Sequence, residues 1–262
     1  MSSKLITSMQ NTIIKNIVQL QKKKSARKKQ GLFIVEGIRA VNEIPSSAEI
    51  ESFITTPNVT SAEIARLDEH KWIVIPEEIF KAISETESPQ GAMAIVKMAD
   101  KKLDEITLKT DGFYLILESL QDPGNLGTII RTAHAFNVDG VFLTKGTVDL
   151  YSPKVVRATM SSLFHVPIVM DEEVSSYMTA LEDKGITLYA THLSEKAKPI
   201  HETTFKGGVG IIIGNEGNGI SDTVKEATHE HIIIPMPGGC ESLNASVATS
   251  ICLYEVMRER IQ

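Results

Sequence analysis

The segment FYLILESLQDPGNLGTIIRT, from Phe113 to Thr132, sets the fold of the C-terminal part of the chain. It opens with five apolar residues, turns at Asp-Pro-Gly 122–124, and ends in a helical pattern. An uninterrupted apolar run indicates a strand that is buried on both faces, as in parallel sheets covered by helices. The segment therefore predicts the first strand–turn–helix unit of an α/β domain.

The same unit recurs along the rest of the chain. Further apolar runs predict strands at 140–143, 186–190, 209–213 and 231–234. Helical patterns alternate with them at about 126–137, 153–163, 172–183, 221–228 and 243–260. Ligands of such sheets bind at the carboxyl ends of the strands. The loops after 117, 190, 213 and 234 are therefore the predicted site.

The N-terminal part has a different pattern of apolar and polar residues. Apolar residues at helical spacing predict an amphipathic helix from residue 4 to about 21. Short apolar stretches follow at 32–35, 52–55, 71–75 and 92–97, which indicates a compact α/β unit. The polar stretch after Lys97 is the best linker candidate. We therefore expect a domain at 1–98, a linker at 99–111 and a second domain at 112–262.

Charge is distributed unevenly, although the net charge is only −6. Residues 1–98 carry 13 basic and 11 acidic side chains, whereas 99–262 carry 14 and 22. The first 35 residues contain no Asp or Glu. A positive region on an acidic body favours a phosphate-binding end. The residues of this cluster that we expect to contact the phosphates of a nucleic acid are Lys22, Lys23, Lys24, Arg27, Lys28 and Lys29. The alternative is a solvated basic helix end.

Other sequence features narrow the class of protein. Cys240 and Cys252 have no spacing that suits a metal, so we expect reduced thiols in a cytoplasmic protein. No apolar run has the length of a membrane span, and the N-terminus lacks the apolar core of a signal peptide. We therefore expect neither secretion nor membrane insertion.

The first loop after a predicted strand offers a helix start and a cation. Asn125 is a suitable cap for the helix that follows, and Arg131 lies in its second turn. An arginine just after a Gly-rich strand–helix turn suits bidentate binding of a phosphate or carboxylate. A surface ion pair is the alternative for Arg131.

The second and third loops are less specific when taken singly. Gly214-Asn-Glu-Gly-Asn-Gly219 follows a strand but lacks the GxGxxG register of dinucleotide-binding folds. A tight turn with an exposed Glu216 would explain it equally well. In the third loop, Ser242 or Asn244 could simply cap the last helix. The preceding Pro-Gly-Gly segment favours an irregular pocket wall.

Taken together, the three loops resemble the signature motifs of the SpoU (TrmH-like) family of RNA ribose 2′-O-methyltransferases, in the SPOUT class. The first motif is matched by Asn125-x-Gly127-x-x-x-Arg131-Thr132 and the second by Ile213-Gly214-x-Glu216-Gly217-x-Gly219. The third is matched by Ile234-Pro235-Met236 and Ser242-Leu243-Asn244-Ala245-Ser246. The likeness covers about 112–262. Phe33-Ile-Val-Glu36-Gly37-x-Arg39 also resembles the opening of the family's substrate-binding domain. This resemblance implies that the basic cluster binds RNA, and it adds Arg39 to the predicted RNA-binding set.

This resemblance implies a parallel sheet with helices on both faces and a deep trefoil knot, which residue patterns alone would not suggest. It implies S-adenosylmethionine as cofactor, RNA as substrate, a homodimer and no metal. The implied cofactor contacts are Gly214, Ile234 and Leu243, with Thr191 and Met236 lining the pocket. The implied catalytic group is Arg131, with Asn125, Glu216, Ser242 and Asn244 around it. The proton acceptor stays open between Arg131, a bound water and Glu216.

Two alternatives belong to other functional classes. A non-catalytic RNA-binding factor of the same fold would have no need for the motif residues that the chain retains. A nucleotide-dependent oxidoreductase would require the glycine fingerprint that the chain lacks. Within the favoured class, large-subunit rRNA is the first expectation and tRNA the second, because the N-terminal domain resembles that of rRNA-modifying members.

Overall fold

A computed structural model describes residues 4–66, 71–194 and 197–261, with Lys71 described in its backbone only. The chain divides into two compact units. The first comprises Met1–Ala99 together with Asp149–Phe164, and the second comprises Asp100–Val148 with His165–Gln262. The segment Asp149–Phe164 therefore lies, in the chain, inside the predicted second domain but packs with the first unit.

The N-terminal residues form a five-stranded mixed sheet with helices. Its elements are β1 (Lys4–Leu5), α1 (Thr12–Lys22), α2 (Lys24–Gln30), β2 (Leu32–Glu36), α3 (Ile38–Asn42), β3 (Ile50–Thr55), β4 (Lys71–Val74), α4 (Glu77–Ile83) and β5 (Ala92–Lys97). The strand order is β1-β4-β3-β5-β2. Strand β5 runs antiparallel to both of its neighbours, whereas β3, β4 and β1 are parallel. The four predicted apolar stretches coincide with β2 to β5.

The predicted helix start at residue 4 is wrong. Residues Lys4–Leu5 pair with β4, and the helix begins only after Asn11, whose side chain accepts a hydrogen bond from the Ile13 amide. Ile6, which directly follows β1, is buried in the same apolar core as Ile14 and Ile17, so a residue outside the helix extends the helical spacing by chance. Asn11 is the local signal for the true boundary, because asparagine is a preferred N-cap.

The remaining residues form a sheet of seven strands. Their elements are β6 (Phe113–Leu117), α5 (Pro123–Ala135), β7 (Gly140–Thr144), α6 (Pro153–Thr159, in the first unit), β8 (Ile168–Glu172), α7 (Val174–Glu182), β9 (Thr187–Thr191), β10 (Lys198–Pro199), β11 (Val209–Ile213), α8 (Asp222–Ala227), β12 (Glu230–Ile233) and α9 (Ala245–Arg260). The strand order is β10-β12-β9-β11-β6-β7-β8, and every neighbouring pair is parallel. The predicted α/β class is confirmed.

The order of the strands locates the binding edge. From β6 the chain builds β7 and β8 on one side and then returns to place β9, β11 and β12 on the other. Strands β6 and β11 are neighbours in register, with Leu117 opposite Ile213. Their carboxyl ends therefore adjoin at the point where the direction of building reverses, which is the preferred ligand site of open parallel sheets.

The predicted linker carries structure of its own. Residues Leu103–Glu105 form a 3₁₀ turn, and Leu103, Ile106 and Leu108 pack against the core around Tyr114 and Tyr177. These apolar side chains lie among charged ones. The segment was predicted as a linker because it is polar overall, and that average does not reveal the three packing contacts. In the described part of the chain, no helix is both long and apolar enough to cross a membrane.

Candidate active site

The first loop is fixed where α5 begins. Asp122, not Asn125, is the N-cap, because its carboxylate accepts the Asn125 amide at 2.8 Å. Pro123 follows at the first helical position, where a missing N–H costs nothing. Asn125 is thus inside the first turn and is buried, so its side chain is free for another role. The predicted cap was wrong for that reason.

The second loop reaches the first through Glu216. This carboxylate accepts the backbone amides of Gln121 and Asp122, each at 2.9 Å, and the side-chain amide of Asn125 at 3.1 Å. Gly214 allows the approach, since a Cβ there would lie 2.1 Å from the Gly219 backbone. The loop therefore closes on the start of α5, where unpaired helix N–H groups favour an anion.

The third loop contacts the first loop through Asn244. The Asn244 amide donates to Asn125 Oδ1 at 2.9 Å, and Asn244 Oδ1 caps α9 by accepting from the Ser246 amide at 2.9 Å. Because Glu216 can only accept, the donor end of Asn125 must face it, and this fixes the orientation of both amides. We call Asn125, Glu216 and Asn244 the loop junction.

The charge state of Glu216 follows from these contacts. Partial burial by itself would raise the pKa of the carboxyl. The hydrogen bonds from Asp122, Gln121 and Asn125 outweigh it, and the net result is a lowered pKa. Glu216 is therefore held as a carboxylate whose oxygens are both engaged, which makes it a poor base and a good clamp.

Two predicted catalytic residues lie outside the loop junction. Arg131 is exposed on the third turn of α5, and its guanidinium makes no hydrogen bond or ion pair within the described residues. Ser242 is likewise exposed, and among the described residues its one hydrogen bond is through its carbonyl, which accepts from Cys240 Sγ at 3.2 Å. The structure thus joins three of the five predicted residues and leaves two facing solvent.

The predicted cofactor residues end or follow the strands at this edge. Thr191 ends β9 and donates through Oγ1 to the Ile212 carbonyl at 3.1 Å, and Ile234 directly follows β12. Among the described residues, the backbone groups of Gly214, Ile234 and Leu243 find no backbone partner. Met236 is half-buried, and Leu243 is 37% exposed. Unpaired backbone groups beside apolar surface suit a ligand recognised through the main chain, as S-adenosylmethionine is expected to be.

Two further residues, which were not predicted from the sequence, support the site. Glu118, the first residue after β6, is buried and accepts the Ser221 amide at 2.8 Å. Asn215 donates to the Ser119 carbonyl at 2.8 Å and accepts the Gly217 amide at 2.9 Å. A carboxylate directly after an apolar strand was a usable signal for Glu118. Nothing in the local pattern distinguishes Asn215 from an ordinary turn residue.

The predicted RNA-binding set needs one correction. Arg27 is 4% exposed, and its guanidinium donates to the Leu20 and Gln21 carbonyls and to the Asp149 carboxylate. It is therefore unavailable to RNA, and it instead anchors the Asp149–Phe164 segment within the first unit. Arg39 is exposed and pairs with Glu43 at 2.8 Å. The remaining members, which are all exposed on α1 and α2 or between them, are Lys22, Lys23, Lys24, Lys28 and Lys29.

The surroundings of the cysteines and histidines bear on whether they could be metal ligands or reactive groups. Cys252 is buried, which raises the pKa of its thiol to about 12, whereas Cys240 is exposed. His134 and His165 stack with ring centroids 4.7 Å apart. In the described ranges, no group of three or more His, Cys, Asp or Glu side chains could hold a metal ion.

Two family models match the chain. The SpoU rRNA Methylase family matches residues 112–254, and the MRM3-like substrate binding domain matches residues 11–94. The first match contains all three motif loops, and the second contains the basic helices and Arg39.

Curated relatives and solved structures extend over nearly the whole chain. The 23S rRNA (guanosine(2553)-2′-O)-methyltransferase RlmP of Bacillus subtilis is 34% identical over 97% of this chain and 99% of its own. The AdoMet-bound rRNA methyltransferase from Sinorhizobium meliloti is 29% identical, with a TM-score of 0.87 over 98% of both chains. The SpoU methyltransferase AviRb from Streptomyces viridochromogenes, in complex with AdoMet, is 26% identical, with a TM-score of 0.87 over 97% of this chain and 99% of its own.

Proposed function

The chain belongs to the SpoU rRNA methylase family, as its motifs predicted, and on that premise we propose that it methylates a ribose 2′-hydroxyl of large-subunit rRNA. It is an S-adenosylmethionine-dependent RNA 2′-O-methyltransferase. The observation that carries the proposal is the loop junction, which ties the three motif loops together at the carboxyl edge of β6 and β11. Family membership also implies a deep trefoil knot in the C-terminal part.

The residues divide between holding the site and acting in it. When bound, S-adenosylmethionine supplies a methyl group on a positively charged sulfur. Gly214, Ile234 and Leu243 hold it through their backbone groups, with Thr191 and Met236 lining the pocket. The loop junction keeps these loops in one geometry, so that little reorganisation accompanies the reaction.

Arg131 acts on the RNA side. A ribose hydroxyl is a poor nucleophile, and its oxygen gains negative charge as it attacks. The exposed guanidinium of Arg131 binds the neighbouring phosphate in a bidentate manner and stabilises that developing charge. We place Asn244 and Ser242, on the third loop, around the same reaction centre.

The proton leaves by a route other than Glu216. Both oxygens of Glu216 are engaged, and its pKa is lowered, so it has little tendency to take a proton. An arginine, with a pKa above about 12, is also an unsuitable base. We therefore assign proton removal to a water held beside Arg131.

The RNA target is proposed as large-subunit rRNA, with tRNA as the alternative. RlmP, which is similar over its whole length, is named for 23S rRNA. We propose that residues 1–98 bind the RNA and that 112–262 perform the transfer in the cytoplasm. The exposed lysines of α1 and α2 supply charge for this binding.

We further propose a homodimer through the last helix. Val247 and Tyr254 of α9 are each 48% exposed, whereas Val256 is fully buried within the chain. Tyr254 also packs against Phe136 at 6.1 Å between ring centroids. Tyr254→Glu should therefore yield monomers in light scattering, while Lys206→Glu should not.

Methyl transfer from labelled S-adenosylmethionine to unmodified large-subunit rRNA tests the proposal directly. Arg131→Ala should lower the rate by about 10²–10³-fold with unchanged cofactor affinity in calorimetry. Arg131→Lys should restore only part of the rate, because it keeps the charge but loses the planar fork. A wild-type rate in Arg131→Lys would refute the bidentate role. Failure of the wild-type protein to bind the cofactor would favour a non-catalytic RNA-binding factor.

A further inference from the structure

The first unit contains a cavity of about 300 Å³ that the proposed reaction does not use. Residues of β2, α3 and α6 line it, including Val35, Ala40, Pro153 and Val156. Its size is at the lower end of the range for small-ligand pockets in proteins. A largely apolar wall of this kind favours a flat or apolar group over a hydrated ion.

Two polar side chains in its wall are buried without partners. Gln21 and Ser161 both line the cavity, and each is only 5% exposed. Within the described residues, Gln21 Nε2 and Ser161 Oγ make no hydrogen bond. Buried polar atoms are nearly always paired, so an unpaired donor and an unpaired hydroxyl in one cavity wall indicate a missing polar partner.

The backbone at the cavity is strained where it places Ser161. Met160 and Ser161 have φ values of 47° and 65°, and neither is a glycine. Left-handed backbone is unfavourable for such residues, and two in succession persist only where surrounding structure holds them. Strain of this kind concentrates at functional sites. Here it keeps a serine at the cavity wall immediately after the end of α6.

The charges that line the cavity favour an uncharged nucleobase over a phosphate as its ligand. Arg39 and Arg157 face two carboxylates, Glu36 and Glu43, so the lining has no net charge. Arg39 is already paired with Glu43 at 2.8 Å. Arg157 lines the cavity from α6 and is half-buried. A planar guanidinium beside an amide and a hydroxyl provides stacking and edge hydrogen bonds, which are the means by which proteins read unstacked bases.

We propose that this cavity holds one unstacked nucleobase of the RNA substrate. Gln21 and Ser161 bind the polar edge of the base, and Arg157 stacks on its face. The inference rests on the proposed function, because it takes RNA as the substrate. It assigns to the first unit a recognition of a single base, in addition to the charge-based binding of its lysines.

Filter binding of an unmodified large-subunit rRNA transcript at several salt concentrations tests the cavity. Gln21→Leu keeps the size of the side chain and removes the donor, while the Gln21 carbonyl that accepts from Arg27 remains. We expect its Kd to rise at least about fivefold, with an unchanged salt slope and an unchanged or higher melting temperature. Arg157→Gln should behave in the same way. Lys154→Gln, the same charge change on α6 outside the cavity lining, should bind as the wild type does.

The outcomes separate this inference from the proposed function. Wild-type affinity in both Gln21→Leu and Arg157→Gln, with methyl transfer intact, would overturn the cavity assignment alone. A salt slope reduced by about 0.7–0.9 in Arg157→Gln would identify a phosphate contact and refute the base. If the wild-type protein binds rRNA but methylates none, the proposed function fails while the affinity comparison still decides the cavity. A wild-type protein that binds no RNA would overturn both.

Discussion

The loop junction of the second unit and the helix pair α1–α2 of the first unit use polar side chains in opposite ways. In the loop junction, each of the three side chains is engaged by a neighbour, from Glu216 through Asn125 to Asn244. On the helix pair, the lysines are exposed, and Arg27 is the buried member of the basic cluster Lys22–Lys29. The first arrangement fixes positions, whereas the second supplies charge.

The difference fits the functions that we propose for the two regions. Transfer of a methyl group requires reacting atoms to be held within a fraction of an ångström, which engaged hydrogen bonds provide. Capture of a polyanion requires positive charge at the surface, and mobile side chains serve that purpose. Arg27 is the exception in its cluster, since it serves the fold of the first unit.

Replacement of Arg27 should change the stability of the protein most. Arg27→Leu leaves the Asp149 carboxylate without its partner in a site that is 15% exposed. We expect a loss of about 3–5 kcal/mol in the free energy of unfolding, measured in urea. Lys29→Leu, two residues further along the same helix, should lower the free energy of unfolding far less. Equal stability of the two variants would contradict the distinction drawn between Arg27 and its neighbours.

The next effect would come from breaking the loop junction. Asn125→Asp replaces a hydrogen-bond donor by a carboxylate that faces Glu216. It should lower the free energy of unfolding by about 1–3 kcal/mol at neutral pH. The repulsion raises the folded-state pKa of the pair, so the deficit should shrink as pH falls through that raised value and one carboxyl becomes a donor. Thermal melts across pH would measure it. Asn218→Asp, whose side chain is exposed in the same loop, is the matched control, and an identical deficit there would exclude the proposed clamp.

A smaller effect is expected on the basic side of the comparison. The triple change of Lys22, Lys23 and Lys24 to Ala should weaken RNA binding and reduce its salt slope by about 0.7–0.9 for each lost phosphate contact. Stability and cofactor affinity should be unaffected, because these side chains are exposed. The triple change of Lys184, Lys198 and Lys206 removes the same charge from the second unit. If both triples lower the slope equally, the basic helix pair is not a specific RNA surface.

The smallest effect concerns the stacked histidines. Burial, followed by the proximity of His165, lowers the pKa of His134. As pH falls through about 6.5, the unfolded chain takes the proton first, so this residue reduces stability on the acid side. His134→Gln should therefore flatten the decline in melting temperature below that pH, and His229→Gln, which is exposed, should not. A steeper decline in His134→Gln would reverse the sign of the argument.

Much of the fold of the second unit was predictable because its central strands are buried on both faces. Strands β6, β7, β9, β11 and β12 all appear as apolar runs. Strand β8 was missed because it lies at the edge of the sheet and ends in Asp171 and Glu172, so its sequence lacks a continuous apolar run. The two-residue strands β1 and β10 are too short to leave a pattern.

The α/β class, the family and the loops at the carboxyl ends of the strands are predictable from the amino-acid sequence, because they depend on local periodicity and motif order. Which polar groups meet is known only from the folded chain. Glu216 lies 94 and 95 residues from the amides it accepts, and Arg27 lies 122 residues from Asp149. Pairing over such distances depends on how the strands are ordered in space. That order decides whether a given charged side chain is buried beside a partner, as Arg27 is, or is left exposed at the surface.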